Sequence, residues 1–327
     1  MNPLVALGLP TVGEDLARFE PLLAESVVIG DSYLDQVTTH LIRAGGKRLR
    51  PLLAIASATA GTREASQEDL LGGIALELMH LASLYHDDVM DEAEIRRNVD
   101  SVNARFGNVV AIVAGDYLMA RSAAIAADLG TEVAGLLART LAWLTRGQVS
   151  EVRTAYDVTR TVDDYVEAIG GKTATLMASS CRVGALTSGR DADVAESLGA
   201  FGHAFGMVFQ IRDDLLDLVA TDGQLGKPSG QDLGEGIYTL PVLVALDDPS
   251  VGEELRALLG RPLDEPEREK ARSLVASTRG VELALDEGAR WAATARAALD
   301  GVPEPSLRDG FGALVASLLA EVSAALR

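Results

Sequence analysis

Two stretches concentrate carboxylates at a helical repeat: Tyr85 to Asn98 reads YHDDVMDEAEIRRN and Gln210 to Asp217 reads QIRDDLLD, each with a DDxxD core. On a helix, residues i and i+4 share a face, so Asp87 and Asp91 point the same way with Asp88 to one side. Asp213 and Asp217 do likewise, and Gln210 sits one turn earlier on that face. Two carboxylates one turn apart repel by roughly a few tenths of a kcal/mol when exposed. Met twice, in apolar-backed segments, that repulsion implies a compensating cation. Mg²⁺ takes oxygen ligands, binds through one or two carboxylates and keeps waters and substrate phosphate oxygens. Two such helices on opposite walls of a bundle can therefore clamp a diphosphate through several Mg²⁺ ions.

A second metal reading comes from ELMH, Glu77 to His80, a Glu-x-x-His of the kind that ligates di-iron sites in four-helix bundles. That architecture needs another copy, and the histidines His40, His80, His86 and His203 supply none. Mg²⁺ is preferred.

Phosphate needs cations. With a formal net charge of -19 and a pI near 4.6, the chain is not built to embrace nucleic acid or an anionic membrane surface. Its few basic clusters are correspondingly informative. RAGGKRLRP carries Arg43, Lys47, Arg48 and Arg50 beside a glycine pair, with Pro51 at a helix start, and Arg96 and Arg97 follow the first acidic motif. IGGKTA supplies Lys172 and Thr173, LGKPSG supplies Lys227, and Arg212 adjoins the second acidic motif. These read as phosphate clamps, with internal ion pairing as the other use of arginines beside carboxylates. GGKT is not a P-loop, because GxxxxGK[ST] requires glycine where Val166 stands.

The elements that carry these residues are helices. Of 327 residues, 48% are hydrophobic and only 4% aromatic, and Ala/Leu-rich stretches recur. Leu71, Ile74, Leu78, Leu81 and Tyr85 fall at helical spacing with Ser66 as N-cap; residues 33 to 44, 50 to 60, 108 to 128, 132 to 150, 163 to 189, 192 to 220 and 309 to 325 read the same way. No strand alternation stands out. Thr221 to Gly236 reads as a loop before a helix opening near Pro241; Arg261 to Lys270 and Gly301 to Ser306 read as surface connections. None resembles an interdomain linker, so the expectation is one all-α domain over residues 1–327, a helical bundle around a central cavity. Residues 1–14, interrupted by Pro3, Pro10 and Gly13, are expected to be loosely ordered. The single Cys181, the lack of a secretory pattern at the N-terminus and the lack of an apolar run of about eighteen residues lead to the expectation of a soluble, cytoplasmic protein.

Taken in order, GGKRLRP (45–51), HDDVMD with RR (86–97), AGDYL (114–118), GKT (171–173), QIRDDLLD (210–217) and GKPSGQDLGEG (226–236) resemble the trans-isoprenyl (polyprenyl) diphosphate synthases, over most of residues 40–245. The resemblance implies a Mg²⁺-dependent prenyltransferase of the isoprenoid synthase fold, usually a homodimer, meeting a membrane only transiently at product release. Its substrates would be isopentenyl diphosphate and an allylic diphosphate, joined head to tail. By the same resemblance Asp87, Asp91 and Asp213 ligate about three Mg²⁺ ions on the allylic diphosphate, with Asp88, Asp214 and Asp217 supporting, Asp217 as a further metal ligand. Arg96, Lys172, Thr173, Gln210 and Lys227 would contact that diphosphate, and Lys47, Arg50, His80 and Arg97 would hold isopentenyl diphosphate. One departure stands out: the family commonly has EGK where this chain has GEGIY, with Ile237 in the lysine's place.

The residues before DDVMD face the cavity that receives the growing chain. Ser83 lies one turn before Asp87 on the same face, and Met79 one turn deeper. Farnesyl-type members carry bulky aromatics where this chain has Ala82 and Ser83, so the resemblance implies a product of geranylgeranyl length or longer, leaning to a long polyprenyl chain. Alternatives are a catalytic subunit of a heteromeric long-chain synthase and, in a different class, a non-catalytic regulatory subunit. A terpene cyclase fits less well, because it has no use for GGKRLRP.

Overall fold

The computed structural model describes residues 2–220 and 229–326. The chain begins with α1 (Pro3–Leu7), whose N–H groups are capped by the Asn2 side chain, and α2 (Pro10–Glu25). Of residues 1–14, expected to be loosely ordered, Pro3–Leu7 and the stretch from Pro10 are helical. Pro3 and Pro10 occupy first-turn positions, where the missing N–H costs nothing, and Leu7, Leu9 and Val12 are buried in the core.

Next come α3 (Ser32–Thr38), α4 (His40–Arg43), α5 (Leu49–Thr59) and α6 (Gln67–Met90). Residues 33 to 44 thus form two helices, not one. Ser66 caps α6 as the sequence predicts, and a reciprocal bond from its own N–H to Asp69 completes a capping box. A two-residue antiparallel hairpin, β1 (Ile95–Arg96) and β2 (Val99–Asp100), adds a strand pair that the sequence does not announce. It turns through Arg97 and Asn98, both at positive φ.

Then follow α7 (Val102–Phe106), α8 (Asn108–Asp128), α9 (Thr131–Arg153), α10 (Val162–Ile169), α11 (Thr175–Thr187) and α12 (Ala192–Val219). The second part carries α13 (Gln231–Gly234), α14 (Leu240–Leu246), α15 (Gly252–Leu258), α16 (Glu265–Ala276), α17 (Gly280–Ala298) and α18 (Pro305–Ala325). Arg261 to Lys270 is only half connection, because an Asp264/Glu267 capping box starts α16 inside it.

Helix α6 runs through the middle, flanked by α5, α8 and α11, and α12 packs between α11 and α17. One large apolar cluster joins α5, α6, α8, α11 and the first half of α12; a second gathers the other end of α12 with Tyr238 and α14 to α16. Both acidic motifs therefore hang from the ends of buried helices. The expected helix 163–189 is interrupted by a π-helical turn, Gly170–Ala174. A Cβ on Gly147 of α9 would lie 2.5 Å from the Lys172 nitrogen, so only glycine lets the two backbones meet there. Such turns insert a residue and re-aim side chains, here Lys172 and Thr173.

Candidate active site

Two adjoining cavities, of about 780 and 730 Å³, lie between the end of α6, the π-turn and α12, and share Asp91, Arg96, Lys172, Thr173 and Gln210 as walls. Asp87, on the last turn of α6, lines the first, and Asp91 is the helix C-cap. Burial holds the Asp87 carboxyl above its usual range, and Glu151 and Asp88 add to this while Lys172 and Arg96 oppose it. Asp88 is fully buried and holds Arg96 at 2.6 Å, leaving its Oδ2 without a partner among the described residues.

On α12, Asp213 lines the first cavity and Asp214 the second. The Tyr165 hydroxyl donates to Asp214 at 2.6 Å and the Gln210 amide at 2.8 Å, and the Thr173 hydroxyl donates to the Gln210 carbonyl at 2.7 Å. Burial pushes the Asp214 carboxyl up to about 7 in spite of those bonds. With both oxygens engaged, Asp214 is a positioning residue that fixes the Gln210 amide.

Asp217 departs from the expected pairing with Asp213. It is buried, accepts the Asp232 N–H at 3.1 Å, and lines neither cavity. The returning chain at Gly230 to Asp232 claims it, so the second wall presents Asp213 and Asp214.

Among the described residues no three potential ligands converge on one point. The donors are nonetheless all carboxylate oxygens on facing walls, and Asp87 is held in a setting where its charge is unfavourable without a cation. That combination fits a hard divalent ion that completes its shell with water and ligand oxygens. The di-iron alternative fails: Glu77 pairs with Arg48 at 2.8 Å, and Arg50, Arg97, Arg96 and Arg48 surround His80.

Of these arginines, Arg50, Arg96 and Arg97 line the cavities and form the other half of the site. Burial first, and the four guanidinium groups second, hold His80 well below the usual imidazole range, so it is neutral. Burial pushes Arg50 down to about 10, which leaves it cationic at neutral pH. Arg97 donates to the Leu41 carbonyl at 3.1 Å and to that of Gly45, and Gly46, at a φ of 151°, leaves room for its guanidinium. Lys172 touches Glu151; burial disfavours the ammonium, but Glu151, Asp87 and Asp91 together hold it above its usual range.

Arg48, Arg212 and Lys47 are not brought to the cavities. Arg48 is buried between Glu20 and Glu77, and Arg212 between Asp213 and Glu321, so both serve the ion-pairing role. Lys47 is exposed and lines neither cavity. Lys227 lies outside the described residues. Ile237 does line the second cavity.

Ser83 lines the first cavity together with Met119, Leu141 and Leu144, an apolar end opposite the charged one. Met79 and Ala82 are 3% and 0% exposed and belong to the core, not the cavity wall. The Ala82 side chain turns away as helix geometry requires, and Met79 is covered by its neighbours. Sequence reasoning missed Glu151, Arg160 and Tyr165; only Tyr165 carried a hint, a buried aromatic with a polar tip two turns before Lys172.

The polyprenyl synthetase family profile matches residues 31–276. The nonaprenyl diphosphate synthase of Mycobacterium tuberculosis is 38% identical over 302 residues, 92% of this chain and 90% of the relative. Component 2 of the heptaprenyl diphosphate synthase of Geobacillus stearothermophilus is also 38% identical, over 89% of this chain and 91% of its own. The crystal structure of a polyprenyl synthase from Caulobacter crescentus, complexed with calcium and isoprenyl diphosphate, superposes with a TM-score of 0.89 at 30% identity, covering 97% of each chain. The chain accordingly belongs to the polyprenyl synthetase family and is a transferase of prenyl groups, a trans-polyprenyl diphosphate synthase.

Proposed function

We propose that the chain condenses isopentenyl diphosphate with an allylic diphosphate, with Mg²⁺ as the divalent ion, and extends the product to geranylgeranyl length or beyond. One observation carries this reading: two acidic walls and two groups of cations converge on a cavity whose other end is apolar. The names of the nonaprenyl and heptaprenyl relatives favour the longer products.

Asp87 and Asp91 on one wall and Asp213 on the other would each offer a carboxylate to divalent ions, which when bound would stabilise charge on the leaving diphosphate. Lys172 and Arg96 neutralise that same charge as the allylic C–O bond breaks and its electron pair departs with the diphosphate. Arg50, Arg97 and neutral His80 hold isopentenyl diphosphate, so that its double bond attacks the allylic carbon. A proton is then lost, and the departed diphosphate is the base at hand. Gln210, fixed by Thr173 and Asp214, offers the diphosphate an amide in one orientation.

Titration calorimetry with inorganic pyrophosphate checks the metal requirement. Binding is expected only with Mg²⁺ present; equally tight binding in chelator would contradict the clamp. Ile237→Lys is expected to change the rate or allylic affinity only a few-fold, because Lys172 already supplies a cation at that cavity. A lost fold or a changed reaction type, seen in melting curves and product analysis, would contradict this.

We further propose a homodimer through α8. Contrary to the expectation that no apolar run is long enough, that helix is by length and composition long and apolar enough to cross a membrane, with mean hydropathy 1.5 over its best window, of which 39% is buried. Val109, Ile112 and Val113 fall at i, i+3 and i+4 and are 76%, 43% and 58% exposed. Val113→Asp is expected to convert a dimer to a monomer in sedimentation velocity; an unchanged sedimentation coefficient would contradict the placement.

A further inference from the structure

Among the described residues, five cationic side chains line the two cavities: Arg50, Arg96, Arg97, Arg160 and Lys172. Three have a carboxylate within 4.0 Å, namely Asp88 for Arg96, Glu77 for Arg97 and Glu151 for Lys172. Arg50 and Arg160 have none among the described residues. Arg50 stands beside His80, at the end assigned to isopentenyl diphosphate. Arg160 stands in the second cavity with Lys172, Thr173, Gln210 and Asp214.

Arg160 precedes α10 and is only 7% exposed. Its Nη1 donates to the Tyr238 carbonyl at 3.2 Å, and its guanidinium lies 5.8 Å from the centre of the Tyr165 ring. Its Nε is buried without a hydrogen-bond partner, and no described residue is bonded to Nη2. A buried guanidinium served by one carbonyl is an unfavourable arrangement unless something else completes it. Burial accordingly lowers its pKa, with Glu151 and the more distant acids working the other way.

We infer that Arg160 is a diphosphate-binding residue for the allylic substrate, its guanidinium donating to the phosphate oxygens that Lys172 neutralises from the π-turn. The inference rests on the prenyltransferase reading of the site and names a contact beyond the acidic motifs and basic clusters. A guanidinium offers a planar fork of donors that matches phosphate oxygens, whereas the Lys172 ammonium offers a point charge. Arg160, buried, and Arg50, partly buried, thus form a pair, one arginine without an acidic partner among the described residues for each diphosphate. Because Arg160 reaches the site through the Tyr165 ring and the Tyr238 carbonyl, it also ties diphosphate binding to the packing of α10 and the start of α14.

The test compares wild type, Arg160→Gln, Arg160→Lys and Lys172→Ala. Titration calorimetry measures inorganic pyrophosphate binding with Mg²⁺, and steady-state assays measure KM for the allylic and isopentenyl substrates separately. Arg160→Gln is expected to weaken pyrophosphate and raise the allylic KM about tenfold, the loss of one charge-assisted hydrogen bond. The isopentenyl KM should hardly move. Arg160→Lys keeps the charge and the bond to Tyr238, and should show a smaller loss of the same kind; it decides the matter if the glutamine variant does not fold. Unchanged pyrophosphate affinity in a folded variant, or equal weakening of both substrates, would overturn the inference. If Lys172→Ala weakens pyrophosphate while the Arg160 variants do not, only the role of Arg160 fails. If none of the variants weakens it, the reading of the whole cavity fails with it.

Discussion

Asp87→Asn is expected to lower kcat by about 10²- to 10³-fold, the scale seen when one group that stabilises transition-state charge is removed. Asp87 lines the cavity at the end of a buried helix, facing Lys172 and Glu151, and burial already disfavours its charge. A cation bound beside it would offset that penalty, and a neutral amide cannot recruit the same cation. Since the ligand-free fold gains nothing from a disfavoured charge, the asparagine variant should melt at the wild-type temperature or slightly above. Loss of rate with an intact fold separates a metal ligand from a structural acid such as Asp88, whose replacement strands Arg96. A variant that retains most of its activity would contradict the assignment.

The second large effect is on product length. Ser83 is the residue of the motif's own helix that lines the cavity one turn before Asp87, and its hydroxyl bonds only to the His80 carbonyl within the helix, at 2.8 Å. Ser83→Phe should therefore be accommodated by the fold while its ring occupies the space leading to Met119, Leu141 and Leu144. Chromatography of the products should show a distribution shifted shorter by one or more isoprene units, with the first condensation still efficient. The same substitution at Ala82, which is fully buried, should destabilise the protein instead, because overpacking a filled core costs about 1–3 kcal/mol. An unchanged product length in Ser83→Phe would remove this residue from the tunnel wall.

The chemistry of the site was legible because short-range signals carry it. Helix periodicity placed Asp87 and Asp91 at one end of α6 and Asp213 on α12, Ser66 announced the cap, and the glycine-flanked basic clusters marked the opposing cations. What escaped the sequence was decided by partners far along the chain. Arg212 is claimed by Glu321 and Arg48 by Glu20, so two arginines beside the motifs never face the cavity. Asp217 keeps the helical register expected of it, yet the N–H of Asp232 captures its side chain. The π-turn at Gly170–Ala174 depends on Gly147 of another helix, which no local pattern reveals. Arg160 carries no local signal in the sequence; the fold alone buries it beside Tyr165.

The most direct measurement is elongation by the purified chain alone, incubated with Mg²⁺, isopentenyl diphosphate and allylic primers of graded length, with the products sized. The account predicts Mg²⁺-dependent formation of all-trans polyprenyl diphosphates of geranylgeranyl length or longer, abolished by chelator. No elongation of any primer, alone or after adding a partner protein, would contradict it.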